Sequence, residues 1–253
     1  MNIPVHILVT CRNPDLFAAS ALVFDTIRTG FPTARIIVTG NALDLEQEDE
    51  IRKHVERIKG GFANLYHVMH HEWIARLIAN ELDPFIICDT DIIFWQNMEG
   101  FLFRGPMHGR RVPAFRCPVT ETDTMDRLHT ALLYIEPEAF LEYRRQKDEN
   151  PAATLHPCFT PMDLVDPVRF AMRMPGRIWH HDTLGQAYHV LGGEPFSEEI
   201  LNCYDHVSCG TYLDLLDEKI PGSRERQMEY VRHPETARGL WRKQQKYLES
   251  RSI

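Results

Sequence analysis

Three strand-like segments, each followed by a helix-like one, and then a fourth strand fill the first ninety residues. No other feature constrains the fold as much. Residues 3–10 (IPVHILVT) are rich in β-branched side chains and read as a buried strand. Asn13-Pro14-Asp15 then offers an N-cap, a proline at the first helical position and an acid in the first turn. Phe17, Ala21, Phe24 and Arg28 follow at helical spacing until Gly30 and Pro32 stop the helix. The pattern repeats as strand 34–39, a charged helix 46–59 closed by Gly60-Gly61, strand 64–69 and helix 71–82. Residues 84–88 form an almost wholly apolar fourth strand. Such alternation predicts an α/β fold, Rossmann-like, with a mostly parallel central sheet and helices on both faces. Ligands gather at the carboxyl ends of strands in such sheets, here Thr10 to Asn13, Gly40-Asn41 and whatever follows Cys88.

Beyond Asp91 the alternation loosens. Residues 113–117, 130–135 and 176–180 read as strands, 137–145 and 182–191 as helices, and 200–204 as a short strand before a loop over 205–211. With 43% hydrophobic and 25% charged residues, the 253-residue chain is neither disordered nor a small disulfide scaffold. It has no stretch of about 20 apolar residues that would span a bilayer. Met1-Asn2-Ile3-Pro4 lacks the basic and apolar regions of a signal peptide. None of the six cysteines forms a C-x-x-C pair, so free thiols and a cytoplasmic location are expected. Of the net charge of −8, the segment 223–253 carries eight Lys/Arg against four Glu, leaving an acidic body and a basic tail. An acidic body that handles a phosphate-bearing ligand needs a cation or a local basic patch.

The chemistry concentrates in Ile86-Ile87-Cys88-Asp89-Thr90-Asp91-Ile92-Ile93-Phe94-Trp95. Two carboxylates one residue apart point to the same side of an extended chain. Held between apolar runs, they repel each other unless a hard divalent cation, Mn²⁺ or Mg²⁺, sits between them and grips phosphate oxygens in turn. A solvated turn is the bland alternative, and the apolar residues on both sides weigh against it.

A strand, then D-x-D, then an apolar run, about ninety residues after an opening strand that ends in threonine, resembles the GT-A class of nucleotide-sugar glycosyltransferases. The resemblance runs over residues 3–212. It implies a GT-A-like catalytic domain over 1–222, with a nucleotide-binding half (1–100) and a sugar and acceptor half (101–222), followed by a basic helical tail (223–253). It further implies a nucleotide-sugar donor, most simply a UDP-sugar, with Mn²⁺ or Mg²⁺ as cofactor and an unidentified hydroxyl acceptor on a glycan or small molecule. Asp91 would ligate the metal, and Asp89 the metal, its water or the ribose. Thr10 and Arg12 lie at the end of the first strand, where the family meets base and ribose. Thr130, in His129–Ile135, matches the strand beside the donor sugar, although Thr130-Ala131 replaces the family's usual asparagine or serine with glycine. His206, in the loop Tyr204–Thr211, looks like the late histidine that adds a metal ligand. Asp182, before the late helix, is the candidate base for an acceptor hydroxyl, and it equally suits a helix N-cap.

Other classes fit less well. A haloacid dehalogenase-like phosphohydrolase also uses D-x-D after an apolar strand, but on the domain's earliest strand and with a later lysine and acidic cluster. H-E-x-x-H is absent, since the position four after His71 is Ala75. A non-catalytic sugar-nucleotide or carbohydrate binder stays open. The tail, with Tyr230, Trp241 and Tyr247 among its arginines, also admits nucleic acid, and a modified DNA base as acceptor.

Overall fold

The computed structural model describes residues 3–10, 17–18, 21–65, 68–116, 123–149, 179–180, 183–207 and 221–252. The chain begins with β1 (Val5–Thr10), α1 (Val23–Gly30), β2 (Ile36–Asn41), α2 (Leu45–Ile58), β3 (Gly61–Leu65), α3 (His70–Asn80) and β4 (Phe85–Cys88). Then come β5 (Ile92–Phe94), β6 (Met107–Val112), β7 (Phe115–Arg116), β8 (Asp123–Thr124), β9 (Arg127–Ile135), α4 (Pro137–Glu149) and β10 (Trp179–His180). It closes with α5 (Gly185–Leu191), β11 (Glu194–Pro195), α6 (Glu198–Leu201), β12 (Tyr204–His206), α7 (Ser223–Arg232), a 3-10 turn (Pro234–Ala237) and α8 (Leu240–Glu249). Two compact units result. One comprises Met1–Val68, Ile86–Leu102 and Ser197–Gln244, and the other Met69–Phe85, Phe103–Phe196 and Gln245–Ile253.

The first unit is the α/β arrangement the alternation predicts. β1 pairs in parallel with β2 on one side and β4 on the other, and β2 pairs in parallel with β3. Every side chain of β4 is buried, as expected of a strand covered on both faces. β5 continues the buried run and pairs antiparallel with β12. α1 packs tightly on β5: the Phe94 amide donates to Thr26 Oγ1 at 3.0 Å, and a Cβ on Gly30 would lie 2.4 Å from the Phe94 ring. Glu99 fastens the turn after α1, accepting from the Thr33 and Ala34 amides at 2.7 and 2.6 Å.

In the second unit β6 runs antiparallel to β9, and β11 is parallel to β6. β7 pairs antiparallel with β8, which pairs in parallel with β10. Of these pairings β1–β2, β1–β4, β2–β3, β6–β11 and β8–β10 are parallel and β5–β12, β6–β9 and β7–β8 antiparallel, so the α/β, mostly parallel class holds. Among the described residues no helix is long and apolar enough to cross a membrane. Cys88 and Cys203 are free and buried.

Several element boundaries differ from the sequence reading. The third strand starts at Gly61 rather than Asn64, because Gly60 is not only a helix stop. Its backbone passes so close to β2 that a Cβ would stand 1.8 Å from the Ile36 carbonyl oxygen. The expected strand over 200–204 is instead helix α6, whose Ser197 N-cap side chain accepts from the Ile200 amide, followed by β12. β6 occupies 107–112, a stretch read as no element, and of the described part of the expected strand 113–117, residues 113–116, Phe115–Arg116 is strand. α5 begins at Gly185, with Leu184 at its N-cap position.

His6, on β1, is 2% exposed, and burial, reinforced by Arg35, pushes its imidazole down to about 4. The native state therefore keeps it neutral while an unfolded chain protonates it near pH 6.5. Above that pH His6 makes no pH-dependent contribution, and between about 6.5 and 4 its cost grows to about 3 kcal/mol. Urea unfolding of wild type and His6→Leu at pH 7 and pH 4 should show a smaller acid loss in the variant. Parallel losses would contradict a buried neutral imidazole.

Candidate metal centre

The acidic pair falls where β4 ends. Asp89-Thr90-Asp91 is the turn between β4 and β5, and β1 and β4 are in register with Ile7 beside Cys88. Thr10 and the acidic turn therefore emerge at the same carboxyl edge of the sheet. The turn is held from two sides. The Thr90 carbonyl accepts from the Val23 amide at the start of α1 (2.8 Å), and the Asp91 carbonyl from the Val207 amide (3.0 Å).

β12 brings the third group. His206 lies on this strand, opposite Ile92, rather than in the loop the sequence suggested. Its Nε2 stands 3.1 Å from Asp91 Oδ1, and each residue is 6% exposed. Ligand-capable atoms of Asp89, Asp91 and His206 all lie within 4.8 Å of one another. Ligand atoms this close to one another could hold a single divalent cation. Two carboxylates with one imidazole suit a transition-metal dication such as Mn²⁺, because purely hard ions favour all-oxygen shells. The surrounding field is negative: the Cys88 thiol is pushed well above its ordinary value, by burial first and then by Asp89 and Asp91.

Asp205 escaped the sequence reading. It is 1% exposed, and its Oδ2 accepts from Trp95 Nε1 at 2.8 Å and from the Gly239 amide at 2.9 Å. Its Oδ1 accepts from the Trp241 amide at 3.0 Å. One carboxylate thus ties the residue after β5 to β12 and to the first turn of α8, where a negative charge also meets the helix dipole favourably. Gln244 Nε2 adds a bond to the His206 carbonyl at 3.2 Å. No local pattern announces Asp205, since its partners are 34, 36 and 110 positions away.

Thr10 Oγ1 accepts from Asn41 Nδ2 at 3.3 Å, and Asn41 is itself fixed by the Val68 backbone at 2.6 and 2.8 Å. Thr130 lies half-buried on β9 of the second unit. Arg12 and Asp182 lie outside the described residues.

No protein-family model matches the sequence, and no curated protein matches it. Among solved structures the chain is similar to the glycosyltransferase GlyE of Streptococcus pneumoniae TIGR4, at 9% identity and a TM-score of 0.42, over 78% of this chain and 46% of that one. It is similar to the mannosyltransferase PcManGT of Pyrobaculum calidifontis, solved with GDP-Man and Mn²⁺, at 13% identity and 0.37, over 56% and 46%. A nucleoside-diphosphate-sugar pyrophosphorylase of Vibrio cholerae RC9 follows at 9% and 0.44, over 90% and 100%. The chain spans less than half the length of the two transferases. What it does chemically is set by the site itself, not by these likenesses.

Removing the Asp205 carboxylate strands three donors. Asp205→Ala should lose about 3 kcal/mol or more in urea unfolding, with Asp205→Asn between it and wild type. A variant as stable as wild type would refute the anchoring role.

Proposed function

We propose that this chain is a metal-dependent glycosyltransferase that moves a sugar from a nucleotide-sugar donor, a UDP-sugar in the first instance, to a hydroxyl acceptor. The observation that carries the reading is the convergence of Asp89, Asp91 and His206 at the carboxyl edge of a parallel sheet. A lone acidic turn is common, whereas a buried imidazole delivered to it by a separate strand is a far more specific donor set.

In this reading Asp89, Asp91 and His206 would hold a Mn²⁺ or Mg²⁺ ion, which would supply Lewis-acid stabilisation to the diphosphate leaving group. The burial of Asp91 and His206 keeps water from competing for their lone pairs. Thr10, steadied by Asn41, offers its hydroxyl to the nucleoside at the end of β1. To these the sequence reading adds Arg12 or Arg177, either of which would offset charge on the diphosphate. It also adds Asp182, which in an inverting reaction would take the acceptor's proton as the acceptor oxygen bonds to the anomeric carbon and the bond from that carbon to the phosphate oxygen breaks, and in a retaining one would help orient the sugar.

The test is nucleotide binding with and without metal. Mn²⁺ should raise the affinity for UDP, followed by calorimetry, and Asp91→Asn should remove that gain, about 100-fold or more in Mn²⁺ affinity. His206→Ala should act in the same direction. Unchanged Mn²⁺ affinity in both variants would overturn the metal assignment. Metal-dependent nucleotide binding without hydrolysis or transfer of any UDP-, GDP- or CDP-sugar would replace the transferase with a non-catalytic binder.

A further inference from the structure

A cavity of about 390 Å³ opens beside the residues that anchor β12. Trp95 and Trp241 line it together with Arg238 and Arg242, and the side-chain amides of Gln96 and Asn202 join them. Asp205 and His206 are consecutive on β12, so their side chains leave on opposite faces. Asp205 belongs to the cavity, which therefore lies across the strand from the metal centre.

The chemistry of the lining is specific. Asp205 accepts from Trp95 Nε1 and the Gly239 and Trp241 amides, and its single negative charge stands against the two arginines of the lining. The two arginines lie over the indoles: the Arg238 guanidinium carbon is 5.6 Å from the Trp95 ring centroid, and that of Arg242 is 5.3 Å from Trp241. A planar guanidinium resting on an aromatic face is held flat, which at Arg238 leaves an N–H edge to meet an oxyanion bidentately. Arg242 donates to Asn202 Oδ1 at 2.7 Å and approaches Glu198 at 3.5 Å. Among the described residues, Arg238 has no carboxylate partner. The cavity therefore offers a preorganised positive edge flanked by amide groups suited to hydroxyls, and its volume exceeds what an isolated phosphate or carboxylate would fill. Each indole spends a face on a guanidinium, which disfavours stacking by a nucleobase.

We propose that this cavity is a second ligand site, separate from the metal centre, that binds an acidic saccharide through its carboxylate or phosphate on Arg238 and Arg242 and through its hydroxyls on Gln96 and Asn202. It anchors acidic glycan to the protein independently of metal, so it stands or falls apart from the transferase reading.

The experiment follows the tryptophan indole N–H signals by NMR during titration with a glucuronic-acid disaccharide, with cellobiose, inorganic phosphate and UMP as comparisons at equal ionic strength and without metal. The signals of Trp95 and Trp241 should move and saturate with a Kd below about 1 mM, while Trp73 stays in place. Arg238→Ala, at an exposed position, should weaken binding about tenfold or more with an unchanged melting temperature, and cellobiose should bind about tenfold more weakly than the acid. No shift at Trp95 and Trp241 overturns the proposal. So does an equal response to phosphate alone or to cellobiose, tighter binding of UMP, or an Arg238→Ala variant that binds as wild type does.

Discussion

The antiparallel pairing of β5 with β12 is the contact on which the site depends. β5 leaves the acidic turn, β12 carries the histidine, and three residues on each side set the register that puts His206 against Asp91. So short a ladder is weak alone. It is reinforced by α1 behind β5, by Asp205, and by the apolar cluster of Leu22, Ile93, Val207 and Ala237. Burial of that cluster and saturation of Asp205 work together, since a carboxylate at 1% exposure is tolerable only when its lone pairs are met.

The parts of the fold that could be read from residues alone are those with local causes. β1, β2 and β4 are runs of β-branched and apolar side chains, and the acids of the turn interrupt such a run at a strand end. β6 shows the opposite case. Met107-His108-Gly109-Arg110-Arg111-Val112 reads as polar, yet His108 and Arg110 are buried on a strand flanked by β9 and β11, with the rings of Phe196 and Phe103 4.9 and 5.8 Å from that of His108. α6 carries its own start signal, Ser197 followed by two glutamates, but four residues are too few for a periodic pattern to show.

The candidate metal centre was half legible for the same reason. Asp89 and Asp91 declare themselves by their setting between apolar strands. His206 could be named only by likeness to a late histidine. Its strand is three residues long and takes its meaning from a partner in a distant part of the chain, which no window of neighbouring residues reveals. Asp205 is more hidden still, because a buried acid with backbone partners at Gly239 and Trp241 looks, in sequence, like any other acid.

The separation of 110 positions between Trp95 and Asp205 also bears on how the protein is made. On the ribosome, which releases about 5–20 residues each second, the two acids leave the tunnel seconds before the histidine and before the helix start that secures it. During that interval the nascent sheet exposes β5 without its neighbour, an open edge of the kind other chains can pair with. A chain stalled or cleaved before β12 would lack both the imidazole beside Asp91 and the carboxylate that ties Trp95 to the helix start.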